Sequence, residues 1–165
     1  MNIREGQLND AARIAEIYNY YVRTSPVIFS NRQLSGTEME QKLQRLEVGS
    51  RFPFLVATDD TGIVIGYCYA HLWQPDPVYN HTWELTLYLD HESKGQGIGS
   101  ALLRNVIDLC SKAGAHTLIS CVSEGNTACE RMCTNAGFSL VGRIPEVGYK
   151  FDRYYNDLIY QLIFP

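Results

Sequence analysis

The segment Lys94-Gly95-Gln96-Gly97-Ile98-Gly99-Ser100 is the most informative part of the sequence. It follows a β-like stretch and opens a long helical pattern, which predicts a strand-to-helix junction. Its glycines let the backbone approach a ligand closely, and the free N–H groups of a first helical turn favour an anion. The third glycine of a G-x-G-x-x-G dinucleotide fingerprint is absent, and no Gly-Lys-Ser/Thr follows, as a P-loop requires. The segment therefore predicts a pyrophosphate cradle of another type. The alternative is that the glycines serve only close packing of a helix against a sheet.

Outward from this segment, helical and strand-like patterns alternate along the whole chain. Upstream they predict a strand at 2–5, a helix capped at Asn9-Asp10, a helix with a Thr37/Glu40 capping box ended by Gly49, and three antiparallel strands within 52–89. Downstream they predict a helix at 97–114, a strand at 117–122, a helix at 126–136 and strands at 138–142 and at the tail. This order implies one α/β (α+β) domain, residues 1–165, with a mixed, mostly antiparallel sheet and helices on both faces.

The composition excludes several classes of protein. The 165 residues are 45% hydrophobic and 19% charged, which is typical of a chain that buries a core. The net charge of −4 argues against nucleic acid as the partner. No apolar stretch is long enough to span a membrane and no signal pattern opens the chain, so we expect a cytoplasmic protein. The five cysteines form no C-x-x-C pair, and we expect reduced packing residues and no metal site.

A carboxylate precedes the glycine segment on the last predicted strand of the first half. Period-two alternation over 83–89 places Glu84, Thr86 and Tyr88 on one face and the apolar residues on the other. A glutamate on a strand that leads into an anion site is a candidate general base. The alternative is a glutamate on a solvated strand face.

The succession of a strand, Lys94-Gly95-Gln96-Gly97-Ile98-Gly99, a helix, a strand, a helix at Asn126 and Gly137-Phe138 resembles the GCN5-related N-acetyltransferases (GNAT). That family's acetyl-CoA loop is Gln/Arg-x-x-Gly-x-Gly/Ala, and Lys94 occupies its Gln/Arg position. Segments 15–19, 82–89 and 147–153 narrow the resemblance to the phosphinothricin and methionine sulfone acetyltransferase-like branch. The resemblance implies acetyl-CoA as co-substrate, no metal, and transfer of the acetyl group to the primary amine of a small amino-acid-like substrate by direct attack in a ternary complex.

The resemblance also assigns roles to individual residues. Glu84 falls on the branch's general base. The cofactor would be bound by Leu87, Tyr88, Leu89, Lys94, Gly95, Gln96, Gly97, Ile98, Gly99, Ser100 and Asn126, with the main chain of Leu87 and Leu89 pairing with the pantetheine arm as an added strand. Cys133 stands where many relatives carry Tyr or His near the leaving thiolate. We interpret Cys133 and Cys129 as reduced cysteines on a packed helix rather than a nucleophile or metal ligands.

The residues predicted to bind the amine substrate, which is the acetyl acceptor, differ most from those of the branch. The predicted substrate-binding residues are Phe29, Gln74, Tyr79, His81 and Lys150, whereas His71, His91 and His116 are expected to be ordinary strand or surface residues. Relatives often carry basic residues where this chain has Gln74 and Asn80, and an amide cannot replace a guanidinium that binds a carboxylate. Either the amine is bound less electrostatically, or Lys150, Arg153 or Arg32 holds a substrate carboxylate.

Oligomeric state and two other functions complete the expectations. Relatives in this branch are usually homodimers, with the loop at 147–153 near the shared pocket, so we expect a homodimer. One alternative function is a protein N-terminal or other amine acetyltransferase of the same fold. A non-catalytic acyl-CoA-binding sensor is another, and it would need the glycine cradle but not Glu84.

Overall fold

Seven strands and four helices make up the computed structural model, which describes residues 1–165. The strands are β1 (Asn2–Glu5), β2 (Phe54–Thr58), β3 (Val64–Leu72), β4 (Thr82–Leu89), β5 (Thr117–Ser123), β6 (Ser139–Lys150) and β7 (Arg153–Ile163). The helices are α1 (Ala11–Thr24), α2 (Gly36–Arg45), α3 (Ile98–Lys112) and α4 (Thr127–Asn135). None of these helices is long and apolar enough to cross a membrane.

One sheet holds all seven strands in the order β1-β2-β3-β4-β5-β7-β6. Every neighbouring pair is antiparallel except β4 and β5, which run parallel. The predicted order of elements and the mixed, mostly antiparallel sheet are therefore confirmed. Parallel strands need a crossover connection, and here α3 provides it between β4 and β5.

Helices cover both faces of the sheet because adjacent residues of its central strands point in opposite directions. Val56, Tyr67 and Tyr69 pack in one apolar cluster with α1 and α2. The intervening Cys68 and Ala70 pack in a second cluster with α3 and residues near α4. The near-continuous apolar run of β3 is explained by this two-sided burial.

Two local predictions need correction. The capping box of α2 is formed by Ser35 and Glu38, two residues before the predicted pair, and the helix ends at Arg45 rather than near Gly49. Residues 147–153, expected to be a loop, continue β6 into a hairpin with β7. Phe151 and Asp152 form its two-residue turn with φ values of 51° and 57°. Because neither is the glycine or asparagine typical of such turns, the sequence carried no hairpin signal here.

The parallel pair β4 and β5 is short, and this shortness creates the main opening in the sheet. The two strands pair only from Thr82 and Thr117 to Glu84 and Ile119. Beyond Glu84, β4 continues along β3 while β5 follows β7. The strands therefore diverge as a V, with Glu84 at its apex.

The free edge of β4 inside the V presents main-chain groups. Hydrogen bonds from Trp73 N to Thr82 O and from Asp90 N to Ile65 O bracket the β3–β4 ladder. In an antiparallel ladder, alternate residues bond to the same neighbour. The even-numbered residues of β4 therefore face β3, and Leu85, Leu87 and Leu89 direct their N–H and C=O groups into the V.

Candidate active site

A cavity of about 640 Å³ occupies the V between β4 and β5. Its lining combines β4 from Glu84 to Leu89 with the glycine segment, the start of α4 and the end of α1. Every predicted cofactor-binding residue lines this cavity except Gln96. The structure thus brings together the free strand edge and the glycine segment that were proposed from separate signals.

Two glycines of the segment adopt backbone conformations that other residues rarely reach. Gly95 and Gly97 have φ values of +79° and +78°, in the left-handed region that favours glycine. Glycine is required at these two positions by the backbone conformation and not by lack of space, because an added Cβ at either position would meet nothing within 4 Å. Gly97 also caps α3 without a side chain, so the first N–H groups of that helix remain available to a ligand.

The packing interpretation applies to the third glycine. A Cβ at Gly99 would lie 3.2 Å from Met132 Sδ and 3.4 Å from the Leu89 side chain. Close approach between α3, α4 and β4 therefore requires Gly99. The packing role is therefore observed at Gly99, whereas Gly95 and Gly97 have the backbone conformation that the predicted pyrophosphate cradle requires.

A second cavity of about 400 Å³ lies on the face of the sheet covered by α1 and α2. We call it the acceptor cavity. It shares Glu84, Thr86, Tyr88 and Cys121 with the first cavity, so the two spaces meet at the apex of the V. Its other lining residues include Tyr18, Val27, Ile28, Phe29, Lys42, Tyr69, His71 and Asp157.

Glu84 is a partly buried carboxylate with specific neighbours. Its Oε2 lies 3.5 Å from His71 Nε2, and the two residues are direct cross-strand partners. Burial raises the pKa of Glu84, whereas His71, the Cys121 thiol and Lys42 act in the opposite direction. A carboxylate whose pKa is raised is a stronger base toward an ammonium group than a solvated one.

A second carboxylate, Asp157 on β7, lines the acceptor cavity as well. Burial and, secondarily, the negative charge of Glu84 raise the pKa of Asp157 to about 6, from an ordinary 3.8. The cavity therefore concentrates negative charge on the side where a cationic amine would enter. Carboxylates with raised pKa values that line one cavity are typical of functional sites.

The raised pKa of Asp157 predicts a pH-dependent stability. The folded protein binds this proton more tightly than the unfolded chain, so the carboxyl favours folding at low pH and opposes it as pH rises through 3.8 to 6. Relative to the parent, Asp157→Asn should gain about 1–2 kcal/mol of unfolding free energy between pH 4 and pH 7.5, after allowance for partial solvent exposure. Urea unfolding at both pH values tests this, with exposed Asp152→Asn as control. An equal difference at both pH values would contradict it.

Three residues of the acceptor cavity were missed by sequence reasoning: His71, Asp157 and Lys42. His71 was expected to be an ordinary residue, but it lies directly opposite Glu84. The period-two patterns of β3 and β4 indicate which face of the sheet each side chain occupies. Only the register between the two strands shows that His71 and Glu84 are opposite each other. Asp157 and Lys42 lie on distant elements, and no local pattern connects them to Glu84.

Three predicted substrate-binding residues lie outside both cavities: Gln74, Tyr79 and His81. They belong to the β3–β4 connection at the closed end of the V, where β4 is still paired with β5. The ring of His81 is occupied there by a hydrogen bond with the Gly114 carbonyl, 3.1 Å away. Phe29, in contrast, lies at the acceptor cavity as predicted and packs against Gly148.

Lys150, the remaining predicted substrate-binding residue, has a structural position instead. Its side chain is buried, and Nζ donates to the main-chain oxygens of Ser25, Ile28 and Tyr21 at 2.7, 2.9 and 3.4 Å. An ammonium has three protons, so none remains for a substrate. The expectation is corrected: Lys150 anchors the β6–β7 hairpin to the end of α1.

Cys133 and Cys129 lie one helical turn apart on α4 and line the first cavity. The Cys133 thiol is buried and lies 3.6 Å from Ser120 Oγ. A hydrogen bond from Cys129 lowers the pKa of Cys133, while the same contact and burial raise that of Cys129. Asn126 begins this helix, and its Oδ1 accepts from Cys129 N at 3.4 Å, which leaves its NH₂ group free.

Comparisons with known proteins agree with this arrangement. The chain is 32% identical to the phosphinothricin N-acetyltransferase of Alcaligenes faecalis, with 93% of this chain and 77% of the relative aligned. It is 28% identical to an L-methionine sulfoximine/L-methionine sulfone acetyltransferase of Pseudomonas aeruginosa, over 98% and 93% of the two chains. The crystal structure of a GNAT superfamily phosphinothricin acetyltransferase from Sinorhizobium meliloti in complex with acetyl-CoA superposes with a TM-score of 0.94 at 28% identity, covering 98% of this chain and 87% of that one.

The match to a family extends over nearly the whole molecule. Residues 3–159 match the acetyltransferase (GNAT) domain. These residues include the V-shaped opening, the glycine segment and the acceptor cavity. The chain therefore belongs to the GNAT family of acetyl-CoA-dependent N-acetyltransferases.

Proposed function

We propose that this enzyme transfers the acetyl group of acetyl-CoA to the primary amine of a small amino-acid-like substrate, related to phosphinothricin or methionine sulfone and sulfoximine. The observation that carries this proposal is the position of Glu84 at the junction of the two cavities. One cavity has the groups to bind an anionic cofactor, and the other has carboxylates to attract an amine. Relatives that act on these amino acids share the family and most of the chain length.

The residues around the first cavity fit acetyl-CoA. The free N–H groups at the start of α3 suit its pyrophosphate, and the edge of β4 at Leu87 and Leu89 suits the amides of a pantetheine arm, although the Leu89 oxygen already accepts from the Tyr21 hydroxyl at 2.6 Å. Lys94 lies at the same cavity with its ammonium 4.8 Å from the Tyr21 ring centre. These are local donors, which explains how a chain of net charge −4 accommodates an anionic co-substrate.

The proposed reaction begins with proton transfer to Glu84. Most primary amines arrive protonated at neutral pH, so Glu84 accepts one proton from the substrate ammonium. The nitrogen lone pair then forms a bond to the thioester carbonyl carbon, and the C–S bond breaks. The nitrogen loses its second proton to the CoA thiolate, and Glu84 releases the first proton to solvent, so the products are the amide, free CoA and one proton. His71 holds the Glu84 carboxylate toward the acceptor cavity, and the fixed strand edge orients the thioester.

An amine screen tests this function and separates the two alternatives. Free thiol release is measured with acetyl-CoA and a panel of methionine sulfone, phosphinothricin, other amino acids, simple amines and short peptides. The proposal expects the fastest release with free amino acids. Faster release with peptide N-termini would instead favour a protein acetyltransferase. Acetyl-CoA binding in calorimetry without thiol release on any amine would favour an acyl-CoA sensor.

We also propose that the protein forms a homodimer through the β6–β7 hairpin. The edge strand β6 and its neighbour expose a series of apolar side chains: Leu140, Val141, Ile144, Val147, Tyr149 and Tyr154. Exposed apolar series of this kind mark interaction surfaces. Light scattering coupled to size exclusion should give twice the 18.7 kDa chain mass, and Val147→Asp should shift the protein toward monomer. A monomeric parent at high concentration would contradict the proposal.

A further inference from the structure

Lys42 is a cation of the acceptor cavity that forms no ion pair with a neighbouring carboxylate. It is the only lysine or arginine that lines this cavity. No carboxylate lies within the 4.0 Å of an ion pair, and its ammonium contacts the Tyr18 ring, 4.9 Å from the ring centre. Burial, followed by repulsion from Arg45, lowers the pKa of Lys42, while the negative charge of Glu84 acts in the opposite direction. No side-chain hydrogen bond or ion pair holds the Lys42 ammonium, so its N–H donors are available to a bound ligand.

The other candidate cations for a substrate carboxylate contact different parts of the protein. Arg32 is paired with Glu38 on the surface, and Arg153 lies over the Tyr155 ring. Lys150 uses all its donors on main-chain oxygens. Neither arginine lines the acceptor cavity, so Lys42 remains as the cation available to a bound molecule.

We propose that Lys42 binds the carboxylate of the acceptor, and that the acceptors are α-amino acids with one carboxylate and a neutral side chain. This inference rests on the proposed function, because it divides one substrate between two groups of the same cavity. The amine faces Glu84 and Asp157, the carboxylate faces Lys42, and the side chain contacts the apolar walls that include Val27, Ile28 and Phe29.

Charge in the cavity restricts the side chain of the acceptor. Lys42 is balanced against two carboxylates, so a substrate with one positive and one negative group is accommodated. Phosphinothricin carries a second anionic group, for which the cavity has no further lysine or arginine. We therefore expect a preference for methionine sulfone over phosphinothricin, since an unpaired buried anion is strongly disfavoured.

The test compares Lys42→Met with the parent on two acceptors, L-methionine sulfone and its carboxylate-free counterpart 3-(methylsulfonyl)propylamine. Loss of a charged hydrogen bond should raise KM for methionine sulfone by about 10- to 100-fold. The KM for the carboxylate-free amine should remain within about twofold, because that molecule has no group for Lys42. Lys42→Arg should restore part of the lost affinity. Lys112→Met is the matched control, since Lys112 is exposed and paired with Asp108.

A binding measurement makes the result independent of turnover. Calorimetry with L-methionine sulfone on the CoA-saturated protein should show the same loss of affinity in Lys42→Met, with circular dichroism confirming a folded variant. Equal effects on both acceptors, no effect on either, or no binding of the amino acid by the parent would overturn the proposal. If the parent binds methionine sulfone but releases no thiol with any amine, the proposed function fails while the carboxylate site stands. If the parent is active but Lys42→Met is unchanged, only this inference fails.

Discussion

Replacing Glu84 with Gln is expected to lower kcat at neutral pH by about 10²- to 10⁴-fold, the range found for a positioned general base. Gln keeps the size of the side chain but cannot accept a proton. The groups proposed to bind acetyl-CoA belong to the main chain of β4 and α3, so its Kd should stay within about twofold of the parent value. Steady-state kinetics and calorimetry with acetyl-CoA measure the two quantities separately.

The pH dependence gives this prediction a second readout. In the parent, kcat/KM should fall as pH decreases through the raised pKa of Glu84, because only the ionised carboxylate is a base. In Glu84→Gln the remaining rate should rise with pH as the free amine becomes available. Glu5→Gln is the control, because Glu5 is an exposed strand glutamate outside both cavities. An unchanged kcat in Glu84→Gln would remove Glu84 from the mechanism.

Replacing Lys150 with Met should cause the largest loss of stability among these variants, about 3 kcal/mol. The substitution preserves much of the volume but leaves the buried main-chain oxygens of Ser25 and Ile28 without their charged donor. Hydrogen bonds to charged groups contribute about 1.5–3 kcal/mol, and unsatisfied buried acceptors have a similar cost. For a chain of this size the midpoint of thermal unfolding should fall by about 6–12 °C.

Thermal unfolding followed by circular dichroism measures this effect. Lys112→Met is again a suitable control, because an exposed pair one helical turn apart contributes only a few tenths of a kcal/mol. If Lys150 were a substrate-binding residue instead, its replacement would raise KM and leave the unfolding temperature near that of the parent. That outcome would contradict the role of Lys150 as an anchor between the β6–β7 hairpin and α1.

The element order and the glycine segment were predictable because their signals are local. Hydrophobic periodicity depends only on neighbours in the chain, and so predicted all eleven helices and strands in their observed order. The hairpin of β6 and β7 extends well beyond the predicted strands, because its turn uses Phe151 and Asp152 at positive φ. The residue types at this turn do not predict it; the pairing of the two long strands and the contact of Lys150 with the end of α1 stabilise it.

The cofactor cavity and the acceptor cavity also differ in how far local sequence predicts them. Most of the predicted cofactor side lies on one strand edge, one loop and one helix start that follow each other between Glu84 and Ser100, with Asn126 as the exception, so a nearly continuous stretch of sequence described it. The acceptor side takes Lys42 from α2, His71 from β3 and Asp157 from β7. Each is an ordinary polar residue in its own segment, and the face it occupies depends on strand register and helix packing.

The alternation of helices and strands, a glycine segment at 94–100 suited to an anion, and Glu84 as the proposed base could all be predicted from local sequence. Three features were visible only in the folded protein: β4 and β5 separate beyond Glu84, Lys150 donates its hydrogen bonds to main-chain oxygens at the end of α1, and Lys42 lines the acceptor cavity. The difference arises from the distance along the chain over which each kind of interaction acts. Backbone propensity and periodicity act over a few residues, whereas the charge and shape of the acceptor cavity arise from contacts between elements more than a hundred residues apart.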